Sequence, residues 1–132
     1  MANNDSLQVL TDFFEAFNRN DLLTAATFVT DDIVYTIRGR STLSGTYRGY
    51  AAFAGVIERI KQLTGGTMTV KPEVVLADGE NIMMYLQVSG SRPDGRRYES
   101  QQAYLYRFRD GKLAEGQTIP VDQHAFEQFF AD

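Results

Sequence analysis

Cysteine is absent from the 132 residues, and histidine occurs once, at His124. The first absence excludes disulfides, thiolate nucleophiles and thiolate metal sites. The second leaves too few imidazoles for a zinc site of nitrogen ligands, so no metal is expected. No apolar run approaches the roughly 20 residues that a membrane-spanning helix needs, and nothing resembles a signal peptide. A cytoplasmic protein with no membrane partner is the expectation. A glycine-rich phosphate loop is also missing, so neither nucleotide, flavin nor any other cofactor is expected. Charge is modest: 13 Lys and Arg against 17 Asp and Glu give a net −4. Basic residues gather only at 92–97 and 107–112, where Asp94 and Asp110 intervene. Nucleic acid is therefore not expected as a partner.

What remains is an ordinary globular composition. Hydrophobic residues at 43% and charged residues at 23% fit one domain, residues 1–132, with a core of useful size. The chain is organised around residues 99–123. From Tyr98 the residues alternate, with Tyr98, Ser100, Gln102, Tyr104, Tyr106 and Phe108 on one face. Arg97, Glu99, Gln101, Ala103, Leu105, Arg107 and Arg109 occupy the other. That period and its aromatics predict a central strand. Asp110-Gly111 is a tight-turn signal, and a second strand over 113–119 returns antiparallel. Ser100, Gln102 and Tyr104 share a buried face, so they either bond to one another or line a cavity.

Earlier in the chain, Leu7, Leu10, Phe14 and Phe17 at helical spacing predict an amphipathic helix with Asp5 as its cap. Asn20 or Asp21 caps a second short helix reaching Phe28. Asp31-Asp32 is read as a solvated turn before a strand over 33–38, and 39–49 as a glycine-rich loop able to close over a pocket. A third helix over 49–63 stops at Gly65-Gly66. Strands at 67–77 and 81–91 follow, separated by turns at Asp78-Gly79 and 92–95. Asp122 caps a terminal helix whose Phe126, Phe129 and Phe130 should dock on apolar surface. Helices early and strands late predict an α+β fold: a cone-shaped, curved antiparallel sheet wrapped around three helices of the N-terminal half. The open end of such a cone is a natural pocket.

This order resembles the nuclear transport factor 2-like superfamily over essentially the whole chain, and more narrowly its SnoaL-like group. The resemblance is carried by Phe17-Asn18-Arg19-Asn20-Asp21-Leu22, by Asp31-Asp32, by residues 44–49 (SGTYRG), by residues 106–115 (YRFRDGKLAE) and by Asp122-Gln123. It implies a cystatin-like α+β barrel and a homodimer through the open sheet face. It also implies a family of many chemistries, among them isomerases, cyclases and non-catalytic subunits. Ketosteroid isomerase uses an aspartate base with a tyrosine and a protonated aspartate as oxyanion hole. By resemblance those positions fall near Ile37, Phe13 and Tyr104. Phe13 and Ile37 can neither donate nor accept a proton, so that mechanism is not expected. SnoaL-type cyclases place an acid/base aspartate late in the sheet, where this chain offers Gln117, Thr118 and then Asp122.

Asp122 and His124 are the candidate catalytic pair by composition, although i, i+2 spacing does not put them on one helix face. The alternative is a helix cap and a surface histidine. Tyr35, Tyr47, Gln102, Tyr104, Gln117 and Thr118 are the candidate ligand-binding residues. Three readings stay open: a cofactor-independent isomerase, cyclase or lyase acting on a small apolar or polycyclic molecule by proton transfer; a protein that binds such a molecule without chemistry; and a dimeric interaction module with a filled interior.

Overall fold

The computed structural model describes residues 4–132. The elements run α1 (Asn4–Asn18), α2 (Leu22–Ala26), β1 (Val29–Ile37), β2 (Gly45–Arg48), α3 (Tyr50–Leu63), β3 (Thr69–Asp78), β4 (Asn81–Ser91), β5 (Arg97–Arg109), β6 (Lys112–Pro120) and α4 (Gln123–Phe130). One six-stranded sheet has the order β2-β1-β6-β5-β4-β3. Every neighbour is antiparallel except β1 and β6, which run parallel. A parallel junction needs a long connection, and here more than half of the chain, residues 38–111, intervenes between the two strands. Among the described residues no helix is long and apolar enough to cross a membrane.

The helices cover the concave face because their apolar stripes demand it. Leu10, Phe13, Phe14 and Phe17 of α1 are all buried, at the i, i+3, i+4, i+7 spacing of one helical face. Phe53 and Val56 of α3 join them. Asp5 lies inside the first turn of α1 rather than at its cap, where a carboxylate still complements the helix dipole. Asn20, at φ 62°, ends that run, and Asp21 caps α2 by accepting from the Thr24 amide at 3.2 Å. Asn18 does something its sequence context hides. Its side-chain amide donates to the Val70 carbonyl and its oxygen accepts from the Val70 amide, both at 2.9 Å. It pairs with the start of β3 as another strand would.

Two departures from expectation lie in residues 29–49. Asp31 and Asp32 do not form a turn: they sit, exposed, within β1, at a register break between Val29 and Val34. The Phe28 carbonyl already accepts from the Leu113 amide at 2.9 Å, so the ladder to β6 starts before the aspartates. The expected loop contains a short edge strand, β2, whose Tyr47 pairs with Tyr35 of β1. Four residues that begin with Gly45 and stop at Gly49 give too little pattern to announce a strand.

The β5–β6 hairpin forms as its sequence demands. Asp110 and Gly111 have φ of 53° and 78°, the backbone that a two-residue turn between twisted strands requires. On β5, Tyr98, Gln102, Tyr104, Tyr106 and Phe108 are buried and Ser100 is half-buried, so this face looks onto the core. The opposite face carries exposed pairs, Arg97 with Glu99 at 3.7 Å and Arg107 with Glu115 at 3.8 Å, which add little stability. Finally α4 docks through buried Phe126, Phe129 and Phe130. Its last carbonyls are held by two guanidinium groups from the β4–β5 turn. Arg92 donates to Phe129 and Ala131, and Arg96 to Gln128, Phe129 and Ala131. Cations at a helix C-terminus satisfy orphan carbonyls and oppose the dipole.

Candidate functional site

Between the helices and the concave face lies an interior cavity of about 50 Å³. Phe13, Phe14 and Phe17 of α1, Val56, Ile57 and Ile60 of α3, and Phe126 and Phe130 of α4 form its apolar walls. The sheet supplies the polar groups: Tyr35 from β1, Gln102, Tyr104 and Tyr106 from β5, and Thr118 from β6. These residues meet because register places them side by side. Tyr104 is opposite Thr118 and Tyr106 opposite Gly116, which in turn is paired with Tyr35. Gly116 leaves room for both tyrosine rings to lie across its strand: a Cβ there would fall 2.7 Å from Tyr35 Cε2 and 3.1 Å from Tyr106 Cδ1.

The polar groups are uncharged and form two hydrogen-bonded sets. Tyr35 shares hydrogen bonds with the Thr118 hydroxyl at 2.6 Å and the Tyr106 hydroxyl at 3.1 Å. Gln102 donates from Nε2 to the Tyr98 hydroxyl at 2.9 Å, while its Oε1 makes no bond among the described residues. Burial pushes the Tyr35 hydroxyl up from its ordinary pKa. Burial, reinforced by the neighbouring tyrosines, pushes Tyr104 and Tyr106 up much further. All three therefore stay protonated near neutral pH and act as hydrogen-bond donors or acceptors, not as bases. Among the described residues the lining holds no carboxylate and no imidazole. Nor do any three His, Asp or Glu side chains among them converge in a way that could hold a metal ion.

Of the residues singled out from sequence, Tyr35, Gln102, Tyr104 and Thr118 belong to this lining. Tyr47 lies outside it: its hydroxyl donates to the Leu43 carbonyl at 2.6 Å and ties the 39–49 segment to itself. Gln117 points the other way on β6, where it accepts from Arg38 Nε at 2.9 Å. Asp122 caps α4, accepting from the Ala125 amide at 2.9 Å, and is exposed. His124 is exposed on the first turn of α4. Neither reaches the cavity lining. Tyr106 is the polar lining residue that sequence reasoning left out, although it sits on the same alternating face as Gln102 and Tyr104. The three positions matched to ketosteroid isomerase by resemblance, Phe13, Ile37 and Tyr104, all line the cavity. Two of them present only hydrocarbon there.

Comparison with known proteins agrees with this geometry. Uncharacterized proteins of Mycobacterium tuberculosis and Mycobacterium bovis are 28% identical over 133 residues, covering 99% of this chain and 100% of theirs. Bal32a, from a soil-derived mobile gene cassette, superposes with a TM-score of 0.90 at 21% identity, covering 96% of this chain and 97% of its own. TerC, co-crystallized with polyporic acid, superposes with a TM-score of 0.85 at 17% identity, covering 97% and 99%. At these identities the two structures establish the fold alone. The SnoaL-like domain model matches residues 10–116, from the first helix to the last strand. The chain is thus a member of the SnoaL-like domain family, within the nuclear transport factor 2-like fold.

Proposed function

We propose that this protein binds a small, largely apolar molecule carrying at least one polar oxygen, and binds it without removing a proton. The observation that supports this most directly is the chemistry of the polar lining: hydroxyls from three tyrosines and one threonine, with one carboxamide, beside an aromatic and aliphatic wall. Such a surface can donate to a ligand oxygen from a tyrosine and accept from a ligand hydroxyl at Gln102 Oε1. Proton transfer in the isomerase or cyclase manner needs a base positioned at the reacting carbon. Tyrosines held protonated by burial do not supply one, and Asp122 and His124 sit outside. TerC, a neighbour of the same fold, was co-crystallized with a small organic molecule, polyporic acid.

Size narrows the ligand. Pockets for drug-sized molecules run to about 300 Å³ and more, whereas this cavity holds about 50 Å³. A polycyclic molecule does not fit between these walls as they stand. Admitting a single-ring compound requires the phenylalanine and isoleucine liners to rotate. A thermal-shift titration tests this with p-cresol, cyclohexanone and a steroid, on the wild type and on Gln102→Leu and Thr118→Val. The expected result is stabilisation by the single-ring compounds, weakened in both variants. Stabilisation by none of them, or equal stabilisation in all three proteins, overturns the reading.

A second copy of the chain is proposed as a partner for the outer sheet face. Val74, Leu76, Met83 and Tyr85 are exposed there, and the pairings Val74 with Tyr85 and Leu76 with Met83 set them side by side. Exposed apolar groups in a contiguous row mark an interaction surface. Light scattering of the wild type should give twice the 14.9 kDa chain mass, and Leu76→Lys with Met83→Lys should give the monomer. A monomeric wild type removes this partner.

A further inference from the structure

Lys61 is the one charged residue among the described residues with a buried side chain, at 6% exposure. It extends from the last turn of α3. Its Nζ donates to the Met68 carbonyl at 2.5 Å and lies 3.8 Å from the centre of the Phe17 ring. None of the ion pairs among the described residues includes it. Burial holds its pKa down, from 10.5 to about 8. An ammonium placed this deep normally has a carboxylate beside it, and here an aromatic face and one carbonyl take that place. Among the described residues, Met68 supplies the single hydrogen-bond acceptor for the three N–H donors of Lys61.

Both residues that hold the ammonium belong to the cavity lining, whereas Lys61 itself does not. Phe17 and Met68 are lining residues, as is Ile60, the residue before Lys61. The tyrosine and threonine hydroxyls lie on the strands across from this α1–α3 wall. We infer that Lys61 is the anion-recognising group of the cavity, and that the natural occupant is an apolar acid whose carboxylate displaces the Phe17 ring from the Lys61 ammonium. This rests on the cavity being a ligand site, as proposed above, and specifies the class of ligand. The carboxylate supplies the counter-charge that the fold omits, and the hydrocarbon body fills the phenylalanine-lined space. No bond is made or broken.

The test compares 3-phenylpropionate with its uncharged amide, 3-phenylpropionamide, by calorimetric titration at pH 7. In the wild type the acid should bind at least 10-fold tighter than the amide. In Lys61→Met that ratio should fall to about 1, with amide affinity within about 3-fold of wild type. Equal affinity for acid and amide in the wild type overturns the inference and leaves the ligand-site reading standing, as does an acid preference that survives in Lys61→Met. Failure of both compounds to bind the wild type overturns both. If Lys61→Met does not fold, the wild type still decides by NMR of the lysine side chain. Saturating 3-phenylpropionate should raise the Lys61 pKa by at least one unit and the amide should not; an unmoved Lys61 in both refutes the inference.

Discussion

Replacing Gly116 by alanine is the smallest change that reaches the centre of the site. The added Cβ falls 2.7 Å from Cε2 and 2.8 Å from Cδ2 of Tyr35, and 3.1 Å from Cδ1 of Tyr106. Carbon atoms in contact sit at about 3.5–4.0 Å, so both rings must retreat by several tenths of an ångström or more. Each has a packed ring beside it that resists the movement. Tyr35 is packed at 5.3 Å centroid distance from Phe53, and Tyr106 is stacked on Phe14 at 6.2 Å. Their hydroxyls also hold the bonds at 2.6 and 3.1 Å to Thr118 and to each other. Overpacking of this kind costs about 1–3 kcal/mol, and one disturbed hydrogen bond about 1 kcal/mol more. Removing glycine from a strand returns about 0.5–1 kcal/mol. The net expectation is a loss of about 1–3.5 kcal/mol in urea unfolding, with an unchanged m-value. Gly55 supplies the control: it lies in α3, and a Cβ there meets nothing within 4 Å. Gly55→Ala should gain about 0.5–1 kcal/mol. A Gly116→Ala variant within about 0.5 kcal/mol of wild type, a loss small enough to count as surface behaviour, refutes the packing argument.

Tyr35→Phe leaves the ring and removes the hydroxyl that joins Tyr106 to Thr118, so it should cost about 1–2 kcal/mol in the same urea experiment. Lys61 gives a pH signature. Its folded pKa, about 8, lies below the unfolded 10.5, so the unfolded chain holds more protons in between and stability rises with pH from about 8. Discounted for solvent screening, the gain between pH 8 and 9.5 should be about 1 kcal/mol, and it should vanish in Lys61→Met. Above pH 10 the raised pKa values of Tyr35, Tyr104 and Tyr106 reverse the trend, because the unfolded chain then loses protons first. Removing both Arg92 and Arg96 should speed hydrogen exchange in α4 while leaving the β4 and β5 amides protected, since these two side chains hold the last carbonyls of that helix.

The parts of this structure legible in sequence were those specified by local pattern. The alternation of residues 97–109, the Asp110-Gly111 turn and the phenylalanine spacing of α1 and α4 each depend on neighbours within a few positions, and all appear as read. Gln102 and Tyr104 were recognisable as unusual because polar residues on a buried face need an explanation. The features that escaped depend on partners far away in the chain. Asn18 is meaningful only once β3 arrives beside it, 52 residues later. The strand character of 45–48 depends on β1, and the register break at Asp31 on β6. Gly116 reads as an ordinary interruption of a strand until two rings from other strands are laid across it. Lys61 follows an apolar stripe and reads as a solvated residue at the end of a helix; only the fold turns it inward over Phe17.

The interior of the cone is expected to be a site that a single-ring ligand enters. Aromatic ¹³C–¹H NMR during a p-cresol titration addresses this directly. Resonances of Tyr35, Tyr104 and Tyr106 should move together and saturate, while those of Tyr47, Tyr50 and Tyr85 stay in place. Movement confined to the three outer tyrosines, or none at all, would contradict it.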